Sequence, residues 1–95
     1  MSEFADVLEF YEAIASDSRI STTHTSLYME IFYEWNLSNF KNPIFINRDN
    51  IMRTAKISAR RTYNRCINQL NDYGYIKYIP SSNLLVGSLV YFKRL

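Results

Sequence analysis

The stretch KISARRTYNRCINQL, from Lys56 to Leu70, gathers side chains that bind anions, and it holds four of the chain's eleven Lys and Arg residues. At helical spacing, Arg60, Arg61, Asn64, Arg65 and Asn68 share the outward side. An arginine fork can bridge O6 and N7 of guanine, and an asparagine amide can bridge N6 and N7 of adenine. The hydroxyls of Ser58 and Thr62, together with the helix N-terminus, suit phosphate oxygens. Arg53 and Lys56 flank them as phosphate neutralisers. No Asp or Glu occurs from Ala59 to Asn71. Positive side chains at a helix start oppose its macrodipole. A solvated face has no need of that arrangement, whereas a bound anion relieves it.

Other chemistries find little material. The chain has one Cys and one His, so an internal disulfide and a Cys/His metal centre are both excluded. Cys66 falls on the inward side of its helix and reads as a small core filler, and His24 reads as a helix-start residue. Glu3, Asp6, Glu9 and Glu12 form a solvated face with no accompanying nucleophile motif. A phosphate-cradling Gly loop is missing too, so neither an enzyme nor a cofactor is expected.

Net charge is +2, but it is unevenly divided. Residues 1–40 hold seven acids and one base, and residues 41–95 hold ten bases and two acids. Such a split points to a polyanion as partner of the basic half. The acidic start, MSEFADVLEFYEA, lacks the basic segment of a signal peptide, and the apolar runs are too short to span a membrane. An intracellular, cytoplasmic protein is the expectation.

The elements that must position the arginines follow from periodicity. Ninety-five residues make one domain. Residues 1–18 predict an acidic N-terminal helix, with Phe4, Val7, Leu8, Tyr11 and Ile14 or Ala15 on one stripe. SDSRISTT breaks it, and a second helix opens at Thr22 or Thr23 as cap. Leu27, Ile31 and Trp35 form one stripe there, Tyr28 and Phe32 a second, and Met29 and Tyr33 face a third way. A helix apolar nearly all round is either wrapped by its neighbours or used for self-association. The sequence leaves these two open; if the basic face binds a two-fold symmetric DNA site, a homodimer is expected, with Leu8, Tyr11, Leu27, Ile31 and Trp35 as its interface. Asn42-Pro43 marks a turn, and IFI after it is a short strand candidate.

Residues 47–74 predict two helices at a tight turn. Asn47 caps the first, Asp49 sits in its first turn, and Ile51 and Ala55 face inward. Lys56 and Ile57 make the connection, and Ser58 caps the second helix. That helix buries Ala59, Thr62 or Tyr63, Cys66, Ile67, Leu70 and Tyr73, and Gly74 stops it. Residues 75–95 follow as a hairpin of two alternating strands, YIKYIP and SLVYFKR, joined by SSNLLVG.

ISARRTYNRCINQLNDYGYI resembles the recognition-helix signature of winged helix-turn-helix bacterial regulators such as the GntR and MarR families. Thr62, Tyr63, Ile67, Leu70, Gly74, Tyr75 and Ile76 occupy the signature places. STTHTSLYMEIFYEWN, INRDNIMRTAKIS and GYIKYIPSSN also look like small proteins of Bacteroidetes mobile elements. The resemblance implies a mainly α fold with a small β-hairpin: a three-helix core, an N-terminal helix and a wing. It implies sequence-specific binding of double-stranded DNA, in transcriptional control, with Arg60, Arg61, Thr62, Asn64 and Arg65 as contacts. Lys77, Ser81, Ser82 and Asn83 would be the wing residues, although Leu84, Leu85 and Val86 make the tip apolar. The same fold also serves replication or mobilisation accessories and protein-interaction modules.

Overall fold

Ser21 opens the long aromatic helix. Its hydroxyl accepts the His24 N–H, and the His24 ring accepts the Ser21 N–H in return, closing a capping box. The cap thus lies one residue before Thr22 and two before Thr23, the expected candidates, because His24 reaches back to Ser21. The structure is a computed structural model and describes residues 3–81 and 87–92. Among the described residues the elements are α1 (Glu3–Ala15), α2 (Thr22–Leu37), β1 (Ile44–Ile46), α3 (Arg48–Ala55), α4 (Arg60–Asp72), β2 (Ile76–Ile79) and β3 (Ser88–Phe92). They form four helices and one three-stranded antiparallel sheet of order β1-β3-β2.

The two expected wing strands do pair, β2 with β3, and the sheet gains a third strand beyond the expected hairpin. IFI does not stand apart. As β1 it pairs with β3, with Ile44 opposite Val90 and Ile46 opposite Ser88, while β2 pairs on the other side with Ile76 opposite Phe92. Asn42 prolongs β1. Its side-chain amide donates to the Phe92 carbonyl and accepts the Phe92 N–H, both at 2.9 Å, as a paired strand residue would. Gly87 permits the close approach of β1. Its φ is +78°, and a Cβ there would sit 2.7 Å from the Ile46 carbonyl oxygen.

Three helices end the same way. The last residues of α2, α3 and α4 are closed by Asn39, Lys56 and Gly74 at positive φ. Phe40 N–H then returns to the Trp35 carbonyl, Ile57 to Met52 and Tyr75 to Leu70, the six-to-one bond of a Schellman motif. That bond tucks Ile57 into the core, as the sequence predicts.

α2 is the hub. His24, Leu27, Tyr28, Ile31, Phe32 and Trp35 are buried against α3, α4 and β1. Leu27 and Ile31 are 0% exposed and Trp35 is 3% exposed. Fully burying such a side chain stabilises the fold by about 1.5–3 kcal/mol. The wrapped-helix alternative therefore holds. The expectation of Leu27, Ile31 and Trp35 as dimer contacts is corrected, because their surface is already consumed within the chain. Leu8 and Tyr11 remain exposed. Phe92 seats the sheet on α2, with its ring stacked on Trp35 at 4.7 Å and edge-on to Tyr28 and Phe32 at 4.9 and 5.6 Å.

Candidate nucleic-acid interface

α4 owes its two faces to spacing. Tyr63, Cys66, Ile67 and Leu70 are buried. Between them Arg60, Arg61, Asn64, Arg65 and Asn68 are exposed, as expected. Of the two candidates for one inward position, Tyr63 takes the core and Thr62 stays at its margin. Burial pushes the Tyr63 hydroxyl well above the usual phenol range, which keeps it neutral. Burial likewise pushes the Cys66 thiol up, so it is a packing group rather than a reactive one.

The start of α4 differs from expectation. Ala59, not Ser58, is the N-cap residue, and no side chain caps the helix. Ser58 lies one residue too early in the chain to reach the first-turn N–H groups. Ala59 is exposed rather than inward, again because the helix proper begins at Arg60. By contrast α2 and α3 are capped by Ser21 and Asn47, the latter accepting the Asn50 N–H at 2.9 Å. Among the described residues, no side chain thus caps the start of α4, where Arg60 and Arg61 stand exposed.

Three contacts hold α4 at its far end. His24 Nε2 and Gln69 Oε1 are 2.7 Å apart, linking it to the start of α2. Because the Ser21 N–H can only donate to His24 Nδ1, the ring carries its proton on Nε2 and donates to Gln69. Arg19 lies over the Tyr73 ring, 4.1 Å from its centroid. Tyr75, just past the helix, donates its hydroxyl to Asp17 at 2.7 Å. The Arg19 guanidinium beside Asp17, with the Tyr75 hydroxyl, holds the Asp17 carboxyl well below the usual carboxylate range. Burial, and then the Asp17 carboxylate, push Tyr75 up to about 12.

α3 presents Arg53 in its last turn, where the guanidinium donates to Asn50 Oδ1, and Lys56 follows in the turn, exposed. Ser26 Oγ donates to the Ala55 carbonyl at 2.6 Å and fixes that turn to α2. Asn68 is partly committed, since its amide donates back to the Asn64 carbonyl at 2.7 Å.

The structure also gathers residues from separate elements. A cleft of about 390 Å³ is lined by Arg60 and Asn64 of α4, Arg48 and Asp49 of α3, Tyr78 of β2, and Ser81 and Ser88 at the roots of the β2–β3 loop. Arg48 joins this cleft with no signal for it in the sequence. It stands twelve positions before Arg60, with no shared periodicity to signal their approach. Of the expected wing residues, Ser81 reaches this cleft, while Lys77 does not join it. Lys77 lies on the outer face of the sheet, its ammonium 5.7 Å from the ring centroid of its cross-strand partner Tyr91. Ser82 and Asn83 fall outside the described residues, as do Leu84, Leu85 and Val86.

Among the described residues, no three His, Cys, Asp or Glu side chains gather where a metal ion could be held. No helix among them is long and apolar enough to cross a membrane. Compared with protein families, with curated proteins and with solved structures, the chain finds no match.

Proposed function

We propose that this chain is a winged-helix domain that binds double-stranded DNA in a sequence-specific manner, in transcriptional control. The order helix, strand, helix, helix, strand, strand from α2 onward, with the sheet ordered β1-β3-β2, supports the winged-helix reading. The observation that carries the function is the outward face of α4. Arg60, Arg61, Asn64 and Arg65 stand exposed on the first turns of a helix that no side chain caps among the described residues. A helix entering a major groove by its N-terminal end would present those side chains to base edges. Arg53 and Lys56 would then meet the flanking phosphates, and Arg48 and Ser81 would border the same groove wall.

The test is binding of a fluorescent mixed-sequence duplex across a salt series. If Arg53, Lys56, Arg60, Arg61 and Arg65 all neutralised phosphates, log affinity would fall against log salt with a slope of about −4.5. Base contacts in place of phosphate contacts make the slope shallower and add sequence preference. Absence of binding at low salt, or affinity indifferent to salt, sinks the reading.

A further inference from the structure

α2 leaves one stripe uncovered. Met29, Tyr33 and Leu37, each four residues apart, are exposed, Tyr33 at 54% and Leu37 at 60%. The stripe does not stop at the end of the helix. Leu37 shares a cleft of about 440 Å³ with Phe45 of β1, which is 62% exposed. Phe45 stands opposite Leu89 of β3, and Leu89 stands opposite Ile79 of β2. All three lie on the outer face of the sheet, because Ile44, Ile46, Ile76, Val90 and Phe92 point inward. An apolar belt therefore runs along α2, across the cleft and over the whole width of the sheet. None of it is used by the α4 face.

The geometry points to a second copy of this chain as the occupant of that belt, in a two-fold homodimer. Two observations select this occupant. The first is charge. The cleft that joins Leu37 to Phe45 is flanked by an acid, Glu34, and a base, Lys41. Neither is in an ion pair among the described residues, whose two salt bridges are Arg19–Asp17 and Arg48–Asp49. A patch bearing one charge of each sign about an apolar centre is complementary to itself. Rotation about an axis near Leu37 sets Glu34 of each copy against Lys41 of the other. A strongly acidic or basic partner would satisfy only one of them.

The second is area. Six partly exposed apolar side chains offer on the order of 500 Å², within the range of patches that mark interaction sites. With a polar rim that includes Glu30, Glu34 and Lys41, the surface approaches the roughly 800 Å² per partner of a standard interface. The cleft offers a recess for a side chain of the facing copy. Leu27, Ile31 and Trp35 would support this face from beneath rather than touch the partner.

Sedimentation velocity across a concentration series, without DNA, tests the proposal independently of what α4 binds. Wild-type protein should dimerise in the micromolar range. Leu37→Glu and Tyr33→Glu, both at exposed positions, should each raise the dissociation constant at least about tenfold. Their helical circular dichroism and thermal midpoints at low concentration should match wild type. Glu34→Lys and Lys41→Glu should each weaken the dimer, and the double reversal should restore it. A monomer at every concentration overturns the proposal and leaves the belt to a different partner. A dimer undisturbed by Leu37→Glu and Tyr33→Glu overturns it as well, placing self-association elsewhere. Failure of the double reversal to restore the dimer overturns the pairing of Glu34 with Lys41.

Discussion

Arg60 and Arg61 are adjacent in the chain yet sit in different surroundings. Arg60 borders the cleft with Arg48, whereas Arg61 does not line it. The double substitution Arg60→Ala with Arg61→Ala should leave the fold intact, since both side chains are exposed. Removing an arginine that reads a base should cost about 1–3 kcal/mol of binding and relax sequence preference at one position, measured by competition among selected duplexes. Preference that survives would mean both arginines touch only phosphates. Asp17 carries the residue-scale prediction for pH. Its carboxyl is held low in the folded chain, so it stabilises the fold fully above the ordinary value of about 4, and that stability is lost as pH falls toward the lower folded value. Urea midpoints should therefore drop below about pH 4, and in Asp17→Asn this part of the decline should disappear while stability at neutral pH is reduced. Periodicity made the arginines legible, because they fill the gaps between Tyr63, Cys66, Ile67 and Leu70. The Asp17–Arg19–Tyr73–Tyr75 cluster was not legible, because it forms only once the turn after α1 meets the end of α4.

At the scale of elements, the two glycines have different tasks, and substitution separates them. Gly74 ends α4 at φ +89° with nothing near the missing Cβ. Gly74→Ala should cost about 1–2 kcal/mol, the penalty for placing an L side chain in the left-handed region. Gly87→Ala should cost clearly more, because its Cβ would also collide with the backbone of β1. Equal losses in a denaturant series would contradict the close approach of β1. Lys56 occupies the left-handed position with a side chain attached, at φ +64°. Lys56→Gly should therefore raise stability by up to about 1 kcal/mol while lowering the salt slope of DNA binding by about one, if its ammonium meets a phosphate. Gly74 announced its helix end in the sequence. Lys56 and Asn39 end α3 and α2 in the same way, yet Lys is not a residue that signals such a turn. The caps at Ser21 and Ala59 lie one or two residues from where the sequence pattern sets them, which is the ordinary blur of helix starts. The pairing of IFI with β3 was hidden for another reason. Ile44 and Val90 are far apart in the chain, and a three-residue strand has too short a pattern to name its partner.

Over the whole molecule, charge and apolar surface are divided between faces. The α4 face and its flanking turn carry Arg53, Lys56, Arg60, Arg61 and Arg65, while the exposed apolar belt carries Glu34 and Lys41 at its middle. The split in the sequence between an acidic first half and a basic second half anticipated the first of these. It could not show the second, since Leu37, Phe45, Leu89 and Ile79 become neighbours only through strand register. The buried thiol gives the molecule a clock. Cys66 is the one cysteine of the chain, it is 0% exposed, and it lies on the underside of the arginine-bearing helix. A thiol reagent can reach it only when α4 lifts from the core, so the labelling rate counts opening events under native conditions. A ligand that binds the closed α4 face should slow labelling by one plus the ratio of its free concentration to its dissociation constant. Titration of labelling rate with duplex would then weigh binding without a tag or a dye on either molecule. Labelling as fast as that of a free thiol peptide would mean that α4 does not stay docked.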